Sequence, residues 1–393
     1  MGARTIHPFP ARMAPEIATD MLAIREDGRP LSVLDPMCGS GTVLSVASSR
    51  GHNAVGFDVD PLAVLMTQVA VAPIDGDALE EAAKELIGRV QASRRRLPPW
   101  DDRESTQFAE YWFDTDQRRQ LTRFSIELNR VESIEIKRAL QIALSRIIVT
   151  KAPRASLAGD TSHSRPHKVI QSSNYDVVDG FSRSVRELRK LLDARELSGS
   201  AEASLGDSRE LSAVQQSSID IAITSPPYLN AIDYLRGHKM SLIWLGYSIP
   251  ELRRIRSDSI GAERGLESLP LDRVVQMVDS VKSAVPNPDR LPVGTITRYA
   301  HDLCRFAEEL HRVTRAGAKV IAVVGNSTLR GNFISNDGLV AKALTDSGFI
   351  SKNRVERELP ENKRYMPIST NDAESSMATR MRAEVVLTME KAS

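Results

Sequence analysis

Apolar and polar positions follow two rhythms along the chain, and the change between them predicts the architecture. Leu31 to Leu34 is a short apolar run after Gly28 and Pro30. It stops at Asp35 and leads into a glycine-rich turn, the pattern of a buried parallel strand. Val43 to Ser49 continues as a helix of small residues, and Asn53 to Phe57 is the next strand, ending at Asp58. Asp60-Pro61 then opens another helix, with aspartate as cap and proline in its first turn. Ahead of these, Ala14 to Arg25 carries apolar residues at helical spacing. Strand, turn, helix, strand, helix is the signature of an open α/β sheet.

From about Ile74 to about Ser200 no strand alternates with the helices. Glu80 to Arg96, Arg118 to Ile148 and Ser182 to Arg195 have helical patterns, Pro98-Pro99 breaks the first, and Lys151 to Lys168 reads as loop. The α/β rhythm returns at Ala203 to Asp207 and at the strand Ile219 to Thr224, which runs into Ser225-Pro226-Pro227-Tyr228. Leu229 to Gly246 reads as helix, and Pro250 to Pro292 as polar and irregular. Tyr299 to Thr314 is an amphipathic helix leading into the strand Lys319 to Val324. Gly338 to Ser347 is helical, and Phe349 to Glu358 and Ala383 to Met389 are closing strands. The expectation is one α/β domain built from residues 1–73 and 200–393, interrupted by a mainly helical insertion at 74–199.

Composition narrows the choices. The 393 residues are 41% hydrophobic and 26% charged, an ordinary globular balance. Lys and Arg total 52 against 51 Asp and Glu, which excludes a uniformly basic nucleic-acid coat and an acidic disordered chain but leaves room for a local basic face. Cys38 and Cys304 are too few for a disulfide framework and lack metal-ligand spacing. No apolar run spans a bilayer and the N-terminus has no apolar signal core, so the expectation is a soluble cytoplasmic protein.

Four segments carry candidate chemistry. Asp35-Pro36-Met37-Cys38-Gly39-Ser40-Gly41-Thr42 sits where a strand ends and a helix begins, the place where open α/β sheets bind ligands. Gly39 and Gly41 allow close backbone approach. No Lys follows the second glycine and the three-glycine dinucleotide fingerprint is missing, so a cationic, amino-acid-bearing ligand suits this carboxylate-flanked turn better than a phosphate. Asp58, at the next strand end, is spaced to accept both hydroxyls of a ribose; the competing role, capping a helix, falls to Asp60. Asp207, followed by Ser208, is either a turn aspartate or an acceptor for an adenine amino group. In Ser225-Pro226-Pro227-Tyr228, two prolines after a buried strand remove two backbone donors and hold the chain extended. Ser225 and the neighbouring carbonyls can then accept from an amino group, and Tyr228 can stack on a planar ring.

This set resembles the S-adenosylmethionine-dependent amino-group DNA methyltransferases, over roughly residues 5–70 and 200–390. The resemblance implies a Rossmann-like class I methyltransferase sheet with the cofactor loop at Asp35 to Thr42, and the motif order is not the circularly permuted one. It implies that Asp58 is the ribose acid, Asp207 with Ser208 the adenine side, and Ser225 to Tyr228 the catalytic tetrapeptide. His7-Pro8-Phe9-Pro10-Ala11-Arg12 is similar to the segment that closes over the methionine end of the cofactor, with Phe9 and Pro10 as contacts. The implied activity is methyl transfer to an exocyclic amine of a base flipped out of double-stranded DNA. Serine at the first tetrapeptide position resembles the cytosine-N4 class, whereas aspartate is more usual for adenine N6. Adenine N6 or an RNA amine is the alternative substrate, and a non-catalytic DNA-binding module the alternative from another class. A cognate restriction system is the partner such an enzyme implies.

DNA contacts are expected from basic, flexible segments. The best candidate is Ser162 to Lys168, with His163, Arg165, His167 and Lys168, although a solvated loop is as good a reading. Arg94-Arg95-Arg96, Arg253-Arg254 and Lys363-Arg364-Tyr365 are further basic clusters. His163 and His167 are four apart, but Pro166 argues against a helical metal pair, and no metal is expected.

Overall fold

The computed structural model describes residues 5–10, 12–23, 28–229, 233–261, 271–359 and 383–392. The chain opens with α1 (Pro15–Met21), β1 (Ser32–Asp35), α2 (Thr42–Ser49), β2 (Asn53–Asp58) and α3 (Pro61–Val71). Helices α4 (Gly76–Ala92), α5 (Arg103–Trp112), α6 (Thr115–Leu128) and α7 (Ile134–Ser145) follow, then a short hairpin of β3 (Ala158–Gly159) and β4 (His167–Lys168), then α8 (Val177–Asp193). The main sheet resumes with β5 (Ala201–Leu205) and β6 (Ile219–Thr224), followed by α9 (Leu235–Leu242), α10 (Ile249–Asp258), α11 (Asp272–Ala284) and α12 (Val293–Val313). The last part is β7 (Thr314–Gly325), a hairpin of β8 (Ser327–Leu329) and β9 (Asn332–Ile334), α13 (Asn336–Asp346), β10 (Phe349–Glu358) and β11 (Ala383–Lys391).

The seven-stranded sheet has the order β10-β11-β7-β6-β1-β2-β5. Strands β5, β2, β1, β6 and β7 run parallel, and β11 runs antiparallel between β7 and β10. This is an open, mainly parallel Rossmann-like sheet with one antiparallel strand near its edge.

Period-two alternation along the strands separates two cores. Val33, Ile221, Ile223, Ile321, Val323 and Val386 face one side, which α1 to α10 cover. Leu34, Ala222, Val320, Ala322, Val324 and Leu387 face the other, against α11, α12 and α13. Helix α3 is buried along almost its whole length, because its inner face meets the sheet and its outer face meets α7. Its sequence, PLAVLMTQVAV, is apolar all round as such a position requires. Helices α4 to α8 therefore share a continuous core with the sheet.

Three expectations need correction. The stretch from Pro250 to Pro292 is not irregular, since it holds α10 and α11. A capping box closes the start of α10, with Ser248 accepting from the Glu251 amide and Glu251 accepting from the Ser248 amide. In α11, Val274, Met277, Val278 and Val281 form a buried stripe, an i, i+3, i+4, i+7 pattern obscured by charged neighbours. The helix expected from Leu229 begins only at Leu235. Finally, Lys151 to Lys168 is not loop throughout, because β3 and β4 pair within it. Among the described residues no helix is long and apolar enough to cross a membrane.

Candidate active site

All five parallel strands end on one edge of the sheet. The chain moves from β1 to β2 and β5 in one direction and from β6 to β7 in the other, so the crevice between β1 and β6 is the topological switch point. The glycine turn leaves β1 there, and the double-proline segment leaves its direct neighbour β6. The sequence places these motifs about two hundred residues apart; parallel pairing of Leu34 with Ala222 brings them to one edge.

Backbone constraints shape the glycine turn. Gly39 (φ +52°) and Gly41 (φ +79°) are both left-handed, a region that side chains disfavour. A Cβ on Gly41 would stand 2.9 Å from the Thr67 side chain, and one on Gly39 would stand 3.2 Å from the Phe9 ring. Thr67 Oγ1 donates to the Gly39 carbonyl at 3.0 Å, and the Cys38 amide donates to the Phe57 carbonyl at 2.8 Å. Asp58 accepts from the Gly39 amide at 2.9 Å through one oxygen and from the Asp60 amide at 2.9 Å through the other. The ribose-type acid and the loop it would serve are thus one unit.

Electrostatics here are unusual. Burial pushes the Asp35 carboxyl up to about 7, against the pull of the Met37 amide. Burial and the adjacent Asp60 charge push Asp58 up to about 6. Burial, with the Asp58 and Asp35 charges nearby, also raises the Cys38 thiol, so Cys38 is a poor nucleophile. A cation placed beside Asp35 and Asp58, which end neighbouring strands, would draw both back toward their ionised forms.

The N-terminal segment lies across this turn. The Phe9 ring stacks on Tyr234 with centroids 4.9 Å apart, and Arg12 Nε donates to Thr42 Oγ1 at 2.9 Å. Pro10 is buried. His7 is buried with Nε2 2.8 Å from Ser145 Oγ, and burial, His238 and Arg146 push its ring down to about 3, keeping it neutral. Ala11 lies outside the described residues.

On the other wall, Ser225, Pro227 and Tyr228 are partly exposed and Pro226 is buried. The Tyr299 hydroxyl donates to the Pro227 carbonyl at 2.9 Å, and burial raises the phenol so that it keeps its proton. This bond ties the double-proline segment to α12. The Tyr228 ring covers Gly325 at the end of β7, where a Cβ would stand 3.2 Å from it.

Asp207 stands at the end of β5, but its carboxylate is chelated by Arg209 at 2.6–3.0 Å. Burial works against ionisation, yet the Arg209 bonds hold the carboxyl below the usual range. Arg209 in turn donates to buried Asp302 at 2.7 Å. Ser208 is buried beside it. Ser40 is partly exposed on the turn, and Pro36 is buried beneath it.

Several residues in this assembly escaped sequence reasoning. His238 of α9 is buried, with Nδ1 2.6 Å from Asp60 Oδ2. This bond ties the helix after the tetrapeptide to the end of β2. Nothing in a helical pattern marks His238 as more than a buried polar residue. Arg209, two residues after Asp207, carried a readable hint, since a close Asp–Arg spacing favours an internal ion pair.

The basic segment at 162–168 docks on α9. Ser164 Oγ donates to the Tyr234 carbonyl at 2.9 Å and accepts from the Gly237 amide at 3.2 Å. His163, Arg165 and His167 are exposed, with His163 Nδ1 2.5 Å from Asp160; Lys168 is half-buried with its ammonium 5.0 Å from the Tyr111 ring centre. Asp160 and Ser164 both adopt positive φ at the bends. Lys363-Arg364-Tyr365 lies outside the described residues. Among the described residues no cluster of three or more His, Cys, Asp or Glu side chains is placed to hold a metal ion.

No family model matches the chain. Among curated proteins it is similar to the Type II methyltransferase M.MvaI of Kocuria varians, with 19% identity over 97% of this chain and 89% of that one. The Type II methyltransferase M.BsoBI of Geobacillus stearothermophilus is 22% identical, covering 81% of this chain and 73% of its own length. M.AvaI of Nostoc sp. is 22% identical, covering 89% and 78%. Among solved structures, a SAM-dependent methyltransferase of Methanosarcina mazei aligns over 97% of this chain and 98% of its own, at 11% identity and a TM-score of 0.34. A geranyl diphosphate methyltransferase in complex with SAM aligns over 96% and 84%, at 8% identity and a TM-score of 0.35.

Proposed function

We propose that this protein is an S-adenosylmethionine-dependent DNA methyltransferase acting on the exocyclic N4 amine of cytosine. The observation that carries the reading is the meeting of the glycine turn and Ser225-Pro226-Pro227-Tyr228 on neighbouring strand ends at the switch point. The similarity to three Type II methyltransferases over most of their lengths supports the DNA substrate. Helices α4 to α8 with the 158–168 hairpin are the proposed recognition region, and His163, Arg165, His167 and Lys168 its DNA contacts. A restriction nuclease of matching specificity is the biological partner that this role implies.

When bound, S-adenosylmethionine supplies an electrophilic methyl group on a sulfonium. The chain's own residues do the rest. The left-handed turn at Gly39 and Gly41 would admit the donor closely, Asp58 would accept from its ribose diol, and Phe9 with Arg12 would close the far side of the turn. Both Asp207 oxygens already accept from the Arg209 amide and guanidinium, so an adenine amine would share an oxygen with Arg209. A cytosine amine is a weak nucleophile because its lone pair is conjugated into the ring. Hydrogen bonds from its two N–H groups to Ser225 and the Pro226 carbonyl draw the nitrogen toward tetrahedral geometry and aim the lone pair at the methyl group. Duplex DNA hides that amine, so the base must leave the stack, and Tyr228 provides the surface on which it rests.

The deciding experiment incubates the purified protein with labelled S-adenosylmethionine and unmodified DNA or RNA, followed by nucleoside analysis. Label in N4-methylcytosine from duplex DNA is expected. Label in N6-methyladenine or in RNA would replace the substrate, and no incorporation into either polymer would remove the function.

Tyr299→Phe tests the tetrapeptide's support. Losing one hydrogen bond to the Pro227 carbonyl lets the acceptor loop shift, so kcat drops about 10-fold while cofactor affinity stays within twofold. Equilibrium cofactor titration beside single-turnover methylation checks both halves.

A further inference from the structure

We propose that the β8–β9 hairpin is the element that enters duplex DNA as the target base is turned out, with Phe333 filling the vacated stack. The inference rests on the DNA-methyltransferase reading above and adds the device by which the base is released.

Position is the first observation. Strand β7 ends at Gly325 beneath the Tyr228 ring, and the hairpin leaves two residues later. It returns at Asn336, whose side-chain amide donates to the Gly325 carbonyl and to Ser327 Oγ, both at 3.0 Å. Both ends of the hairpin are therefore fixed beside the platform proposed for the flipped base. The five steps from Gly325 through β8 to the turn at Arg330 span at most ~16 Å.

The second observation is rigidity. Asn332 is fully buried, and its side chain makes a reciprocal pair with the Asn287 backbone: it accepts from the amide at 3.1 Å and donates to the carbonyl at 3.0 Å. The turn residues Arg330 (φ +49°) and Gly331 (φ +83°) are both left-handed, the two-residue turn that matches strand twist. Placing a non-glycine residue there carries strain and puts a cation at the tip.

The third observation is the side chain on this mount. Asn332 and Ile334 point inward, while Phe333 between them is 59% exposed. A single exposed aromatic is ordinary on a protein surface. One held on a clamped hairpin whose base lies under the tyrosine proposed as the stacking surface, with the tip arginine 3.5 Å from the Arg290 carbonyl, has the parts of an intercalating wedge. The arginine meets phosphate, and the ring replaces the stacking that neighbouring base pairs lose.

The test compares Phe333→Ala with the parent protein on a duplex carrying the mapped methylation site, and on the same duplex with the target base mispaired. A mispaired base leaves the stack more readily and has less need of a wedge. Expected is about a 10- to 100-fold slower methylation of the paired duplex, with the mispaired duplex near the parental rate. Cofactor affinity and melting temperature stay unchanged, Phe333→Leu restores most of the rate, and a fluorescent base at the target position loses its enhancement in the alanine variant. Equal rates for variant and parent on the paired duplex overturn the assignment, as does equal slowing on both duplexes. A parent protein that methylates no DNA removes the function itself, an outcome distinct from a parent that methylates and a variant that matches it.

Discussion

Replacing Ser225 with alanine lowers the single-turnover rate of DNA methylation by about 10²–10³-fold and leaves cofactor affinity within twofold. The magnitude follows from removing one preorganised hydrogen-bond acceptor at the reacting nitrogen, a loss comparable to deleting one oxyanion-hole donor in other enzymes. The selectivity follows from place. Ser225 leaves β6, whereas Gly39 and Gly41 lie in the turn after β1 and Asp58 ends β2, and the bonds that join Gly39 to Asp58 and Thr67 do not involve the serine hydroxyl. Pro226 and Pro227 hold the backbone extended with or without it. Ser225→Asp, which restores an acceptor of different reach, recovers part of the rate. A Ser225→Ala protein with unchanged single-turnover kinetics would take the serine out of the chemistry and leave only the stacking and positioning roles of the tetrapeptide.

The sheet and the two walls of the crevice were legible in the sequence for a simple reason. Buried parallel strands are short apolar runs, and those of β1, β2 and β6 end on Asp35, Asp58 and Thr224, so polar residues mark the strand ends. Neighbouring strands were less legible, because pairing of β1 with β6 is a long-range contact without a local signal. The helices α10 and α11 were hidden by their arginines and aspartates, although each has a cap or an apolar stripe that a positional count detects. Helix α3 carries a clue to its surroundings in its own sequence. A helix apolar on every face must be covered on its outer side, and α7 supplies that cover. The bonds from Tyr299 to Pro227, His238 to Asp60 and Arg209 to Asp207 and Asp302 were beyond reach, since apart from the short Asp207–Arg209 spacing each joins residues far apart in the chain.

The carboxylates of the cofactor wall give a prediction that sets stability against binding. Asp35, raised to about 7, has a folded pKa above its unfolded value of 3.8. Below that value both states carry the proton and no contribution arises. As pH rises, the unfolded chain releases the proton first, so stability falls until the pH passes about 7 and the full cost of a buried carboxylate is present. Asp35→Asn removes this cost, on the order of 4 kcal/mol at pH 8. The cofactor-free variant therefore melts several degrees above the parent at pH 8, and the gap shrinks by roughly half or more at pH 5. Binding runs the other way. A cationic ligand favours the ionised forms of Asp35 and Asp58, so affinity for S-adenosylmethionine rises with pH through the range 6 to 7, and binding near pH 6 releases protons. Asp58→Ala, which also frees the Gly39 and Asp60 amides, weakens binding about 100-fold. Calorimetry in buffers of different ionisation enthalpy counts the released protons, and thermal melts across pH measure the stability gap. An Asp35→Asn protein that melts below the parent at pH 8, or binding without proton release, would mean that these carboxylates are already ionised in the free protein and that their raised position does not prepare the crevice for a cation.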